Sequence, residues 1–493
     1  MSPNADGPST DKVPLDLLTT GVPGFDQVLG GGLPALSFNL IAGGPGSGKT
    51  TLTMQMLFAN ATAERPALFF TLLGETTLKM LRYQQQLEFF DLARVGRDVH
   101  FVNLTAEVLA GDLDAVLARI VDEVGRVRPG FVAIDSIRAI VRAGAADALD
   151  PPLERFVQQL ALHLTTWEIT SFLIGEYTDA EVRNPVFTVA DGIVWLSQAI
   201  DRNSVVRKVQ VVKMRGMALM PGLHTLRMTE RGVQIFPRIP ERAAASPAAS
   251  QHRLSTGIER LDVMMGGGIL AGHSVVLAGP TGTGKTTFAM QFVAAGLRNG
   301  ERVVVAIFEE TPATYIRRAR TSGTDFAAAV AEGTLHVIYL RPLDLSVDET
   351  LDEIRLSVER IGATRVVIDS ISGFEVALAP TFREDFRESL YRLIGALTAL
   401  GVTIYSTVEV VGTQDGGLQF TGHRISFLTD DIISQRYVEI DSELRKVLTV
   451  VKMRGSDHDR GFCEYTLAGG GVTFGDHLRG YDAIMSGSPV RRA

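Results

Sequence analysis

Gly279-Pro280-Thr281-Gly282-Thr283-Gly284-Lys285-Thr286 decides how this chain is read, and Gly43-Gly44-Pro45-Gly46-Ser47-Gly48-Lys49-Thr50 repeats its pattern of Gly, four residues, Gly-Lys-Thr. Each stretch follows an apolar run, Val275-Val276-Leu277-Ala278 or Phe38-Asn39-Leu40-Ile41-Ala42, and each leads into a helical segment. A strand, a glycine-rich turn and a helix in that order make a phosphate-binding loop. The glycines let backbone N–H groups converge on phosphate oxygens, and the helix adds the positive end of its dipole. The residues expected to bind ATP are Gly44, Gly46, Ser47, Gly48, Lys49, Thr50 and Thr51 in the first loop. In the second they are Thr281, Gly282, Thr283, Gly284, Lys285, Thr286 and Thr287. Lys49 and Lys285 are expected to reach the β- and γ-phosphates, and the hydroxyls of Thr50 and Thr286 to ligate Mg²⁺.

Working outward, the surroundings of the two loops repeat as well. Thr20-Gly21 leads to Gly30-Gly31-Gly32 before the first loop, and Thr256-Gly257 leads to Gly266-Gly267-Gly268 before the second. Lys49 and Lys285 lie 236 residues apart, as do Thr20 and Thr256, while Asp135 and Asp369 are offset by 234 and Lys213 and Lys452 by 239. A repeat of this length is a duplicated domain rather than a solenoid unit. The chain of 493 residues is also too long for one hydrophobic core. The expected organisation is an N-terminal tail over 1–14, a first ATPase domain over 15–237 and an Ala/Ser/Pro-rich linker over 238–254. A second domain over 255–485 and a short tail over 486–493 complete it.

Within each copy, apolar runs alternate with amphipathic helices. Leu113, Val116, Leu117, Ile120, Val121 and Val124 share one helical face before the run Phe131-Val132-Ala133-Ile134. Val347, Leu351, Ile354, Val358 and Ile361 do the same before Val366-Val367-Ile368. Continuous apolar strands between helices predict an α/β fold, a mostly parallel central sheet covered by helices in each of two tandem domains. Ligands then bind beyond the carboxyl ends of the strands.

Asp135 and Asp369 end two of those strands, and each is followed by Ser-Ile. That position suits the Mg²⁺-binding carboxylate of a phosphate-loop site, although an Asp after a strand is by itself more often a cap or turn residue. Glu309 and Glu310 follow the run Val303–Phe308, where one can accept a proton while the other holds its orientation. Glu75 corresponds to Glu310 by its distance from the loop lysine, and Gly74 stands in place of Glu309. Lys213-Met214-Arg215-Gly216 and Lys452-Met453-Arg454-Gly455 repeat residue for residue. Lys213, Arg215, Lys452 and Arg454 are far from the loops in sequence, which suggests that they serve the nucleotide of a neighbouring subunit as trans-acting fingers.

These motifs together resemble the KaiC family of circadian-clock ATPases and autokinases, within the RecA-like superfamily. The resemblance runs from about residue 15 to 490 and includes Phe308-Glu309-Glu310-Thr311-Pro312 and the ending Ile484-Met485-Ser486-Gly487-Ser488-Pro489. It implies a homohexamer of two stacked rings with ATP at subunit interfaces, slow hydrolysis in the first ring, and serine/threonine autophosphorylation and its reversal in the second. The family's acceptors are an adjacent Ser-Thr pair. Here the matching segment is Arg424-Ile425-Ser426-Phe427-Leu428-Thr429-Asp430, so Ser426 is the expected phosphoacceptor. Phe427 has no hydroxyl to modify, and Thr429 is a second candidate. The tail that binds KaiA in the best-known members has no counterpart after Ala493. A KaiA-independent protein with a KaiB-like or response-regulator partner is the expectation.

Composition bounds the alternatives. A formal charge of −8 argues against a surface that coats nucleic acid, which weighs against a DNA-dependent recombination ATPase of the same superfamily. A nucleotide-gated scaffold, in which binding without turnover orders the oligomer, is the other competitor. Cys463 is the single cysteine, so no intramolecular disulfide or cysteine-rich zinc site can form. Neither a membrane-spanning run nor a signal peptide is evident, and the expected location is the cytoplasm.

Overall fold

The computed structural model describes residues 14–72, 77–136, 151–177, 185–201, 204–238, 252–322, 325–340, 346–378, 386–410, 429–468, 471–484 and 489–491. The chain divides near residue 238 into two compact units. In the first, a nine-stranded sheet runs in the order Val99–Asn103, Ala67–Thr71, Phe131–Asp135, Thr170–Glu176, Phe38–Gly43, Gly192–Asp201, Ser204–Met214, His224–Thr229, Gly232–Phe236. The first six of these are parallel, and the last three form an extension with antiparallel pairing. The second unit repeats the order with Leu335–Tyr339, Val303–Ile307, Arg365–Asp369, Thr403–Glu409, Ser274–Gly279, Asp431–Ile440, Glu443–Lys452, Cys463–Ala468, Gly471–His477. Both units are therefore RecA-like α/β domains with mostly parallel sheets. Arg253–Leu254, read above as the end of the linker, pairs with Ile269–Leu270 as a short ladder of the second unit.

Each sheet has two cores because its strands are apolar on both faces. Ile41, Phe69 and Ala133 face one core, while Leu40, Leu68, Phe70, Val132 and Ile134 face the other. In the second unit Val275, Leu277 and Val305 alternate with Val276, Ala278 and Val304 in the same way. The period-two alternation of a strand, applied to a continuous apolar run, gives this result. The helices Leu113–Val127 and Val347–Ile361 cover one face with their apolar stripes. Ser346 and Glu349 start the latter with a reciprocal capping box.

The opposite face carries the helices that follow the phosphate loops, Lys49–Asn60 and Lys285–Arg298. From Thr51 to Phe58 every residue of the first is buried, so it has no solvent-facing stripe. Sheet lies on one side of it and the antiparallel extension on the other. Gln55, the polar residue in its middle, is satisfied there: it donates to the carbonyls of Gly21 (3.0 Å) and Val233 (3.2 Å) and accepts from Val233 N (2.8 Å).

The second unit also buries a charge. The Arg365 side chain is fully enclosed, donating twice to Glu301 (2.8 and 2.6 Å) and to the carbonyls of Ser255 (2.9 Å) and Phe292 (3.1 Å), with its guanidinium 4.4 Å from the Phe292 ring centre. Phe131 occupies the same register in the first unit, opposite the strand Ala67–Thr71. Arg365→Ala would leave the Glu301 carboxylate and two carbonyls without their donor, at a cost of about 3 kcal/mol. Hydrogen exchange in the strand Val303–Ile307 should accelerate accordingly, and unchanged protection there would show that the clamp contributes nothing.

Candidate nucleotide sites

The phosphate loops leave the carboxyl ends of the central strands, and sheet register decides what meets them. Gly43 lies opposite Glu176 on one side and Leu196 on the other, and Thr71 opposite Asp135. In the second unit Gly279 lies opposite Glu409, and Ile307 opposite Asp369. The packing demands glycine at defined places. A Cβ on Gly43 (φ 149°) would stand 2.0 Å from the Leu196 carbonyl oxygen, and one on Gly284 (φ 96°) 2.5 Å from Leu467. Ser47, Thr51 and Thr283 are buried within the loops, whereas Gly46, Thr281 and Gly282 are exposed at their tips.

Both loop lysines turn back onto their own loops. Lys49 Nζ donates to the Gly44 carbonyl (2.8 Å), and Lys285 Nζ to those of Gly279 and Pro280 (2.9 Å each). Burial pushes the pKa of each ammonium below that of an ordinary lysine, against carboxylates that pull it up: Glu176 and Asp135 for Lys49, and Glu409, Asp369 and Glu309 for Lys285. Glu176 and Glu409 were not singled out from the sequence. No motif marks them, and only their equivalent registers beside the loops reveal them.

The magnesium-binding candidates are oxygen donors at the same edge. In the first unit the Thr50 hydroxyl donates to Asp135 Oδ2 (2.7 Å). In the second, Asp369 Oδ1 instead accepts from Thr407 (2.5 Å). Among the described residues no group of three or more His, Cys, Asp and Glu side chains is built to hold a metal alone. A hydroxyl and a carboxylate completed by substrate phosphates is the donor set Mg²⁺ accepts.

The two glutamates of the second unit have unequal environments. Glu309 accepts from the Ser370 hydroxyl (3.0 Å), and Ser370 also accepts from Gly373 N (2.9 Å) at the start of the helix Ile371–Ala377. Glu310 accepts from Arg318 Nη2 (2.6 Å). Burial raises the pKa of Glu310, Arg318 opposes that, and the charges of Asp369 and Glu309 add to it. Glu75 and Gly74 in the first unit, and Ser426 and Phe427 in the second, lie outside the described residues.

The Lys-Met-Arg stretches sit elsewhere. Lys213 Nζ donates to the Ala190 carbonyl (2.5 Å) and Arg215 to Asp191 Oδ1 (2.8 Å). Lys452 Nζ donates to the Thr429 carbonyl (2.6 Å) and Arg454 to Asp430 Oδ1 (3.1 Å). Those partners precede the strands Gly192–Asp201 and Asp431–Ile440, which begin beside Asn39 and Val275. The lysine and arginine pairs are thus at the amino ends of the parallel strands, roughly 15 Å from their own loops at about 3.3 Å per residue.

A sheet with a glycine-rich loop at its switch point, a half-buried lysine and an acidic strand end defines a phosphate-loop nucleoside triphosphatase, here present twice. The KaiC ATPase family matches residues 18–239 and again 254–479. The circadian clock oscillator protein KaiC of Rippkaea orientalis is 31% identical over 96% of this chain and 91% of its own length. The protein of that name from Parathermosynechococcus lividus is 30% identical over 96% and 88%, and that from Synechococcus elongatus is 29% identical over 96% and 92%. The chain belongs to the KaiC family of ATPases.

The environment of Glu310 gives a pH prediction. Replacing Arg318 by Met removes the one charge that lowers the Glu310 pKa, so protonation should set in at higher pH. With the first loop disabled by Lys49→Ala, the acid limb of the turnover profile should move to higher pH in Arg318→Met. An unmoved limb would remove Glu310 from the rate-determining ionisations.

Proposed function

We propose that this protein is a Mg²⁺-dependent ATPase in both domains and a serine autokinase and autophosphatase in the second, working as a homohexamer in signalling or timing. The observation that carries the second-domain reading is the convergence of Lys285, Asp369, Glu309 and Glu310 at one sheet edge. Lys285 and the loop amides bind and orient the β- and γ-phosphates. Thr286 and Asp369 would hold Mg²⁺, which when bound neutralises phosphate charge. Glu309, oriented by Ser370, or its neighbour Glu310 takes the proton of the attacking hydroxyl. The Ser426 oxygen bonds to the γ-phosphorus as the bond to the bridging oxygen breaks, leaving ADP. In hydrolysis water replaces the serine. The first domain keeps the loop, Asp135 and Glu75 without a second glutamate, which supports slow hydrolysis and a role in holding the ring. The names of the relatives support a timing role; a KaiB-like or response-regulator partner and a cytoplasmic location belong to the same proposal.

Incubation with γ-labelled ATP and Mg²⁺ should label the parent chain, and Lys285→Ala should abolish labelling because the charge and donor on the transferred phosphate are gone. Ser426→Ala should reduce it to background. Labelling equal to the parent would reject Ser426 as acceptor, and an unlabelled parent would reject the kinase.

The placement of the fingers makes a separate prediction. Arg454→Ala and Lys285→Ala chains should each label poorly alone. Co-assembled with ATP they should recover a fraction of parent labelling, since an intact loop on one subunit then meets an intact finger on the next. No recovery in verified mixed hexamers would place the finger's action within its own subunit.

A further inference from the structure

Glu409 ends the strand Thr403–Glu409, and its backbone is fixed at the root of the second phosphate loop. Its N–H donates to Ser372 Oγ (3.0 Å), and the next residue, Val410, donates to the Gly279 carbonyl (3.1 Å). From there its carboxylate accepts the hydroxyl of Thr281, the third residue of the loop. The Thr281 carbonyl in turn accepts from the Tyr437 hydroxyl (3.4 Å). Among the charges acting on the Lys285 ammonium, Glu409 is the strongest.

The first unit has half of this arrangement. Glu176 occupies the same register opposite Gly43 and is the strongest charge acting on Lys49. The residue matching Thr281 is Pro45, which has no hydroxyl, and the one matching Tyr437 is Gln198. A hydroxyl donor at this loop position is thus particular to the second site.

A carboxylate in this place stabilises the lysine's charge in the absence of ligand and repels a polyphosphate when one arrives. We propose that Glu409 is an internal counter-anion of the second phosphate loop, a built-in competitor that nucleotide phosphate displaces from Thr281. It thereby sets the affinity of that site and its preference between nucleoside tri- and diphosphate. This rests on the reading that the Lys285 loop holds the phosphates. Repulsion grows with ligand charge, so Glu409 weakens ATP more than ADP.

The test uses the full-length chain carrying Lys49→Ala, so that only the second loop binds, titrated with fluorescent ATP and ADP analogues in Mg²⁺ at low ionic strength. Glu409→Gln keeps the acceptor oxygen and the size but removes the charge. It should tighten ATP by about 3- to 10-fold and ADP by less, with the gain shrinking as salt is added. Glu409→Asp keeps the charge and should stay within about 2-fold of the parent on the same argument. Unchanged or weaker ATP binding in Glu409→Gln, or equal tightening in Glu409→Asp, would overturn the proposal. Lys285→Ala separates the two readings. If it loses binding while Glu409→Gln gains none, the counter-anion role alone is wrong. If it binds as the parent does, the phosphate-site reading fails too.

Discussion

The constraint on which each domain depends is a lysine ammonium held partly out of water at the mouth of its sheet. Removing charge from water is expensive, and the lowered pKa values of Lys49 and Lys285 record that cost. Loop carbonyls and acidic strand ends offset it. The acids are not scattered: Glu176 and Glu409 end the strands that neighbour the loop strand, and Asp135 and Asp369 end the next strands over. Register therefore fixes Asp135 and Glu176 in one unit, and Asp369 and Glu409 in the other. Several carboxylates around one ammonium leave a surplus of negative charge. A divalent cation offsets that surplus when a polyphosphate enters, which is the chemistry expected of Mg²⁺ and ATP.

Around that shared centre the two copies diverge in their cores. Phe172, Leu196 and Leu226 of the first unit occupy positions held in the second by Tyr405, Gln435 and Tyr465, as the strand registers and the packing of Met228 and Leu467 on Gly48 and Gly284 show. Tyr465 uses its hydroxyl to support the loop from beneath, donating to the Thr283 carbonyl (2.8 Å). Burial keeps the Tyr405 hydroxyl protonated. Polar groups in a core are retained at a cost unless they are paired. The second loop rests on the Tyr465 hydroxyl and is tied at its tip through Thr281, whereas the first packs on the Met228 thioether and is met at the Gly46 carbonyl by Arg207 Nε (3.4 Å).

Much of this was legible in the sequence because two periodicities coincide there. Runs such as Phe131–Ile134 are apolar at every position, which only a strand buried on both faces requires, and the intervening stripes have helical spacing. The loop glycines and the lysine carry their chemistry in a local pattern, so a phosphate-loop α/β domain followed from them, and the RecA-like class from the family resemblance. Glu176 and Glu409 were not legible. Each is one glutamate after an apolar strand, and its importance comes from a partner strand more than 100 residues away in sequence. The three-stranded antiparallel extension was equally hidden. Its strands lack the continuous apolar runs of the parallel strands, because one side covers the loop helix and the other meets solvent.

The Lys-Met-Arg stretches show how one strand joins two edges of a domain. Asp191 accepts from Arg215 with one oxygen and from the Phe38 N–H with the other (3.1 Å), and Phe38 begins the strand whose far end is the phosphate loop. Asp430 does the same between Arg454 and Ser274 N (3.0 Å). A β-strand is stiff along its axis, so an axial shift at the loop must be shared by the aspartate and the arginine it holds. The second unit strengthens this end further, since Asp431, fully buried, takes hydrogen bonds from Arg454 N (3.3 Å) and His273 Nδ1 (3.2 Å). In the first unit Gly192 and Ser37 stand at those two positions and supply no such charge pair. The unit whose loop is tied through Thr281 thus also has the more heavily braced Lys-Met-Arg stretch, so both ends of its central strand are held by hydrogen bonds to charged side chains.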